Sequence, residues 1–292
     1  MAAVPLLLLE AALVVAWSSG FVGVRLSLDH APVFLVIFWR FVTVVAVLLP
    51  WALPALRRAS PRTLLRQAGV GLLATAGYLA GVAQGIALGV PAGLAALIAD
   101  LLPLGVVLLS AGVLGQAVSR AVWLGLAVSL AGMLMVSHDA LAWGRAPPWA
   151  YALPLAGMLA LAVATLWQRR IDRGPALPLA AKLWLQCAAA CPAFAILAGW
   201  QGSLLPQPTA GFVLSVAWTA GLSTLGGYGL YWLCLQRGSA TRVSTVLTLS
   251  PSVTLLWAWA MFGEPLSWLM ALGTAVCMVG VCRVARAQAR PA

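Results

Sequence analysis

Ten stretches of almost unbroken apolar sequence, each close to twenty residues long, restrict this chain more than any other feature. They run roughly over 4–26, 33–53, 67–88, 92–114, 119–137, 149–168, 178–199, 210–235, 240–262 and 267–284. A helix needs about 20 apolar residues to cross the hydrocarbon core of a bilayer. In that core a helix satisfies its backbone hydrogen bonds within its own segment. The longest connections are about a dozen residues, which leaves no room for a soluble domain. The expected fold class is an all-α integral membrane protein of ten transmembrane helices. With 63% of 292 residues hydrophobic and 8% charged, the chain has too few charged residues to cover a water-facing surface.

The net charge of +11 belongs to the membrane topology and gives no reason to expect nucleic acid. Lys and Arg concentrate in cytoplasmic loops. With the N-terminus inside, the inner loops and tail hold Arg57, Arg58, Arg62, Arg66, Arg120, Arg169, Arg170, Arg173, Arg237, Arg242, Arg283, Arg286 and Arg290. Only Arg25 and Arg145 fall outside, while Arg40 and Lys182 lie within spans. Thirteen against two places both termini in the cytoplasm. No Lys or Arg precedes the first apolar run, which makes it a poor signal peptide and a good first helix.

Enzyme chemistry finds little support. The five cysteines (Cys187, Cys191, Cys234, Cys277 and Cys282) form no CxxC pair, and His30 and His138 are the only histidines. The cysteines therefore read as small apolar helix fillers, with no metal centre or cofactor implied. HExxH, a Ser-His-Asp set and a nucleotide-binding loop are all absent from the sequence, so ATP-driven pumping is excluded.

The two halves resemble each other. LGQAVSRAVWLGLAVSLAG at 114–132 matches FGEPLSWLMALGTAVCMVG at 262–280 at an offset of 148, pairing Gly125 with Gly273 and Gly132 with Gly280. At the same offset Pro103 falls on Pro251. Upstream the offset becomes 145 and pairs Trp39 with Trp184. The expected repeats are 1–146 and 147–292, each of five helices. An odd number of crossings turns the second repeat upside-down relative to the first. Inverted repeats that enclose a midplane site and rock around it are a transporter architecture.

AWSSGFVGVRLSL at 16–28, APVFLVIFWRF at 31–41 and FGEPLSWLMALGTAVCMVGV at 262–281 carry a family resemblance. With the 5+5 organisation, they make the whole chain similar to the EamA branch of the drug/metabolite transporter superfamily. Within that branch it looks most like YddG-type exporters of aromatic and other amino acids. The resemblance implies a secondary transporter of the bacterial inner membrane that exports small metabolites by alternating access. Amino acids, aromatic ones included, are the implied substrates. Other EamA exporters of a small metabolite or drug share the same motifs, and a membrane receptor is the reading outside transport. One departure is Gln116, which stands where the second half has Glu264, so the motif's acid occurs once.

Candidate site residues are polar or aromatic at mid-depth, where lipid-facing positions are aliphatic. For substrate binding these are Trp17, Ser18, Tyr78, Asp100, Ser223, Thr224, Tyr228 and Thr248, with Ser19, Gln84 and Ser250 beside them. Hydroxyls, amides and aromatic faces suit a small zwitterion, although a helical Ser or Thr often bonds its own backbone instead. Pro103 and Pro251, each about ten residues into a span, are expected hinges. Gly77, Gly81, Gly85 and Gly89 form a smooth stripe on helix 3, and the paired glycines of helices 5 and 10 are expected to pack at the pseudo-two-fold axis. Trp167 and Trp232 lie deep enough to be further cavity candidates.

Charges inside the membrane are costly and therefore informative. Asp100 either binds substrate amine, carries a proton, or pairs with Arg40 at similar depth. Pairing with Arg40 leaves no proton carrier and favours facilitated diffusion. Glu264 is expected to cap helix 10 ahead of Pro265. The expected partners are a zwitterionic solute and lipid, and the expected working unit is a monomer.

Overall fold

A computed structural model describes residues 5–114, 119–143, 146–171, 177–237, 246–247 and 249–289. Every regular element among the described residues is a helix, with no strand among them. In chain order the helices are α1 (Leu6–Ser27), α2 (Val33–Arg58), α3 (Pro61–Ala87) and α4 in two pieces (Ala92–Ala99 and Leu102–Leu114). They continue with α5 (Arg120–Trp143), α6 (Ala152–Ile171), α7 (Leu179–Trp200) and α8 (Ala210–Ala217, Trp218–Gly227 and Tyr228–Arg237, end to end). The last two are α9 (Ser250–Phe262) and α10 (Trp268–Ala289). Seven helices, α1 to α4 and α6 to α8, are long and apolar enough to span a bilayer, and α5 and α10 contain shorter apolar segments. The protein is a multi-pass membrane protein.

Local chemistry sets the helix ends. Ser60 caps α3 through Thr63 N–H at 3.3 Å, and Pro61 fills the first position, where a missing N–H costs nothing. Thr209 caps α8 through Phe212 N–H. Ser267, rather than Glu264, caps α10 by accepting from Met270 N–H at 3.0 Å. The expected role of Glu264 is thereby corrected. Its carboxylate reaches across to α4 and accepts from Ala92 N–H at 3.1 and 3.3 Å. Gly263 turns the chain toward it in the left-handed conformation, φ 63°, which a side chain would resist.

The packing is two-fold. α5 lies against α10 and α2 against α7; α3 pairs with α6 as α1 pairs with α8; and α4 packs on α6 as α9 packs on α1. At the α5–α10 contact, a methyl group on Gly125 would lie 2.9 Å from the Gly280 carbonyl oxygen, and one on Gly280 would lie 2.6 Å from that of Gly125. Gly132 and Gly273 meet in the same way, and Ser129 Oγ donates to Cys277 O at 3.4 Å between them. Gly125 therefore faces the counterpart of Gly132, and Gly132 faces the counterpart of Gly125. This is the self-complementary pattern of a two-fold contact, and it makes α5 and α10 antiparallel. The expected glycine interface is present.

The helix 3 stripe is shorter than the sequence implies. Gly77, Gly81 and Gly85 abut Ala160, Gly157 and Pro154 of α6. Gly89 lies beyond the helix end at φ 99°.

Two irregularities also repeat. Residues Leu72–Gly77 of α3 and Trp218–Gly227 of α8 form wide π turns, each followed directly by a tyrosine, Tyr78 or Tyr228. α4 breaks at Asp100–Leu101 and restarts at Leu102, while α9 starts at Ser250 after a turn at Leu249. Pro103 and Pro251 are thus second residues of new helices, not interruptions inside continuous ones. The break precedes each proline, because a restarting helix needs no N–H there.

Candidate functional site

A buried cavity lies where the two-fold packing brings α1, α2, α3 and α8 together. One lobe, with about 60 Å³ open to the centres of water molecules, is lined by Trp17, Gly20, Arg40, Tyr78, Ser223 and Tyr228 among others. A second lobe of about 40 Å³ shares Arg40, Tyr78 and Tyr228 with the first, and adds Thr75, Cys187 and Thr224. At roughly 10–15 Å³ per water, this space holds several waters, and a solute the size of an amino acid enters it only when the surrounding helices part.

Arg40 is the polar centre of the cavity. It is 6% exposed. Its Nε donates to Thr224 Oγ1 at 2.7 Å and its Nη2 to Ser223 Oγ at 3.3 Å. The guanidinium carbon stands 5.5 Å from the Phe41 ring centre, within cation–π range. Thr224 Oγ1 in turn donates to Thr219 O at 3.0 Å, across the π turn. Arg40 Nη1 is buried with no hydrogen-bond partner. Trp17 closes one side by packing on Tyr228 and Tyr231 at 5.4 and 5.9 Å between ring centres.

Five of the residues expected from sequence meet here: Trp17, Tyr78, Ser223, Thr224 and Tyr228. Others go elsewhere. Ser18, one residue and about 100° around α1 from Trp17, donates to Ser250 O at 3.1 Å and holds α1 on α9. Ser19 bonds back to Ala16 O. Asp100 lines a separate space of about 10 Å³ with Pro251 and Cys277. Its Oδ2 is buried without a hydrogen-bond partner, and among the described residues no ion pair joins it to Arg40. Trp167 covers Gly69, away from the cavity. Thr248 lies outside the described residues.

From sequence, Arg40 reads as a partner for a carboxylate, Asp100 above all, or for carbonyls, and not as the centre of the site. The available signal was its position: a cation two turns inside a span with no acid at its own helical spacing. At the upstream offset of 145 Arg40 corresponds to Leu185; superposing the tyrosines that directly follow the two π turns, an offset of 150, pairs Tyr78 with Tyr228 and sets Leu73 and Ala74 against Ser223 and Thr224. A two-fold aromatic wall thus surrounds a cation and hydroxyls that occur once.

The sequence pattern of the EamA-like transporter family matches residues 5–138 and again residues 148–286. The chain belongs to this family. As an EamA-like protein it is a transporter and not an enzyme. A probable amino-acid metabolite efflux pump of Salmonella typhimurium is 27% identical over 281 residues, covering 92% of this chain and 90% of that protein. The inner membrane transporter YedA of Escherichia coli K12, itself uncharacterised, is 27% identical over 272 residues, covering 92% and 87%. A solved crystal structure of a protein 22% identical superposes with a TM-score of 0.65, covering 98% of this chain and 99% of that one. It supports the fold alone.

Proposed function

We propose that this EamA-like protein exports small metabolites, amino acids including aromatic ones, across a bacterial inner membrane by alternating access. The observation that carries the reading is the cavity walled by the pseudo-equivalent Tyr78 and Tyr228 at the junction of the two matched segments. An antiparallel α5–α10 contact between equivalent helices favours ten spans arranged as two inverted five-helix repeats, 1–146 and 147–292. Both termini are cytoplasmic in this reading, on the thirteen-to-two cation bias. Glu264, Ala92 and Arg25 then share the outer face, in keeping with their proximity. The relatives named as probable amino-acid metabolite efflux pumps support the substrate class. Aromatic walls and hydroxyls suit a zwitterion, while a dianion such as a sugar phosphate calls for several convergent cations. The protein works as a monomer in lipid.

Counterflow in proteoliposomes tests this directly. Labelled phenylalanine, tyrosine and leucine are expected to exchange, and a sugar phosphate is not. A protein that moved the sugar phosphate and ignored every amino acid would overturn the reading.

A further inference from the structure

Arg40 is a buried cation whose bonded partners are the hydroxyls of Ser223 and Thr224. Among the described residues it has no carboxylate partner, and its Nη1 is unbonded. A buried charge is tolerated when it is paired, and hydroxyl dipoles compensate a cation only in part. The guanidinium also walls both lobes of the cavity, so the missing counter-charge has a place to enter. The two hydroxyls use Nε and Nη2, which fixes the fork and leaves Nη1 available; guanidinium forks recognise carboxylates by geometry as well as by charge. Close by stand Trp17 and Tyr228, faces suited to an aromatic or apolar body.

We propose that Arg40 binds the carboxylate of the transported solute, so that the protein selects monocarboxylates carrying an aromatic or apolar group. Amines and amides of the same shape are rejected because they leave the guanidinium unpaired. The inference deepens the transport reading and rests on it for the cavity being the substrate site. It differs from a purely structural role for Arg40, in which α2 is tied to α8 and solutes are not discriminated by their carboxylate.

Four probes of one shape separate these roles: L-phenylalanine, 3-phenylpropionate, L-phenylalaninamide and 2-phenylethylamine. Thermal unfolding of the detergent-solubilised full chain at pH 7 reads binding, and counterflow reads transport. Both carboxylates are expected to raise the melting temperature at concentrations at least tenfold below those needed for the amide or the amine. Arg40→Gln is expected to abolish that preference. Arg40→Lys keeps the charge without the fork, and is expected to retain the preference with at least tenfold weaker half-saturation. Because the four-probe comparison is made on the wild-type chain, it stands even where a variant fails to fold. The inference is overturned if amide and amine stabilise as well as the acids, if none of the four stabilises, or if both variants bind like wild type. Carboxylate-selective stabilisation without counterflow would keep the Arg40 assignment and remove the transport reading. Counterflow that is blind to the carboxylate would do the reverse.

Discussion

Gly132 of α5 and Gly273 of α10 meet backbone to backbone: a methyl group on Gly132 would lie 2.5 Å from the Gly273 carbonyl oxygen, and one on Gly273 would lie 2.7 Å from that of Gly132. Neither backbone can yield without separating the helices. Gly132→Ala and Gly273→Ala are therefore expected to destabilise by about 1–3 kcal/mol, the usual range for overpacking. Gly199→Ala meets open space and should change stability by no more than about 0.5 kcal/mol. Thermal unfolding in detergent compares the three; equal melting temperatures would mean the helices are not in close contact.

Pro251 stands second in α9, directly after a turn at Leu249. Restoring an N–H at this position, and freeing its φ, lets the helix run through the break. Pro251→Ala is expected to slow counterflow several-fold while membrane insertion stays normal. Wild-type flux at wild-type protein levels would remove the hinge from the mechanism.

Asp100 and Arg40 occupy different spaces. The premise for facilitated diffusion, that Arg40 neutralises Asp100, is thus gone, and the carboxylate is available to exchange a proton. The expected result is that a pH gradient drives accumulation in wild type and not in Asp100→Asn, while downhill counterflow survives in both. Accumulation that is equal in the two proteins would free Asp100 from coupling.

The contrast between Arg40 and Gly132 shows what the sequence makes legible. Lipid-embedded helices associate through small residues, so the spacing of Gly125, Gly132, Gly273 and Gly280 disclosed both an interface and the pairing of the repeats. Depth along a helix is similarly visible, which is why Arg40 and Asp100 looked like partners. Azimuth is not visible until neighbouring helices are placed. Ser18 and Trp17 differ by one residue and face different helices for that reason. The π turns before Tyr78 and Tyr228 carry no proline, and their glycines look no different in sequence from those of a packing stripe; the cross-repeat reach of Glu264 to α4 depends on tertiary contact alone.

Glu264, in the α9–α10 connection, has its carboxyl pushed above the usual glutamate range. Burial is the main cause, opposed by the Ala92 and Gly93 N–H groups and by Arg25. A raised folded-state value means that the native protein holds its proton more tightly than the unfolded chain does. This contribution to stability is present below the ordinary glutamate range and lost as pH rises through the raised value. Glu264→Gln should flatten that part of the melting temperature–pH profile and cost little at pH 7. A variant profile with the wild-type slope would assign the dependence to another group.

Orientation is checked by fusing reporters after residue 292. Green fluorescent protein is expected to fluoresce there and alkaline phosphatase to stay inactive. The opposite pair of signals would invert the topology.

A wall repeated twice around a cation present once gives the protein two unlike doorways. A solute arriving from either side meets a tyrosine of the same kind, but Arg40 stands on α2 alone, with Leu185 at the matching place in the other half. Without energy coupling the final distribution of solute must still be equal on both sides, since a carrier cannot shift an equilibrium. Half-saturation and maximal rate are free to differ between the faces, provided that their ratios agree. Initial rates measured in right-side-out and inside-out vesicles would then diverge although the endpoints coincide.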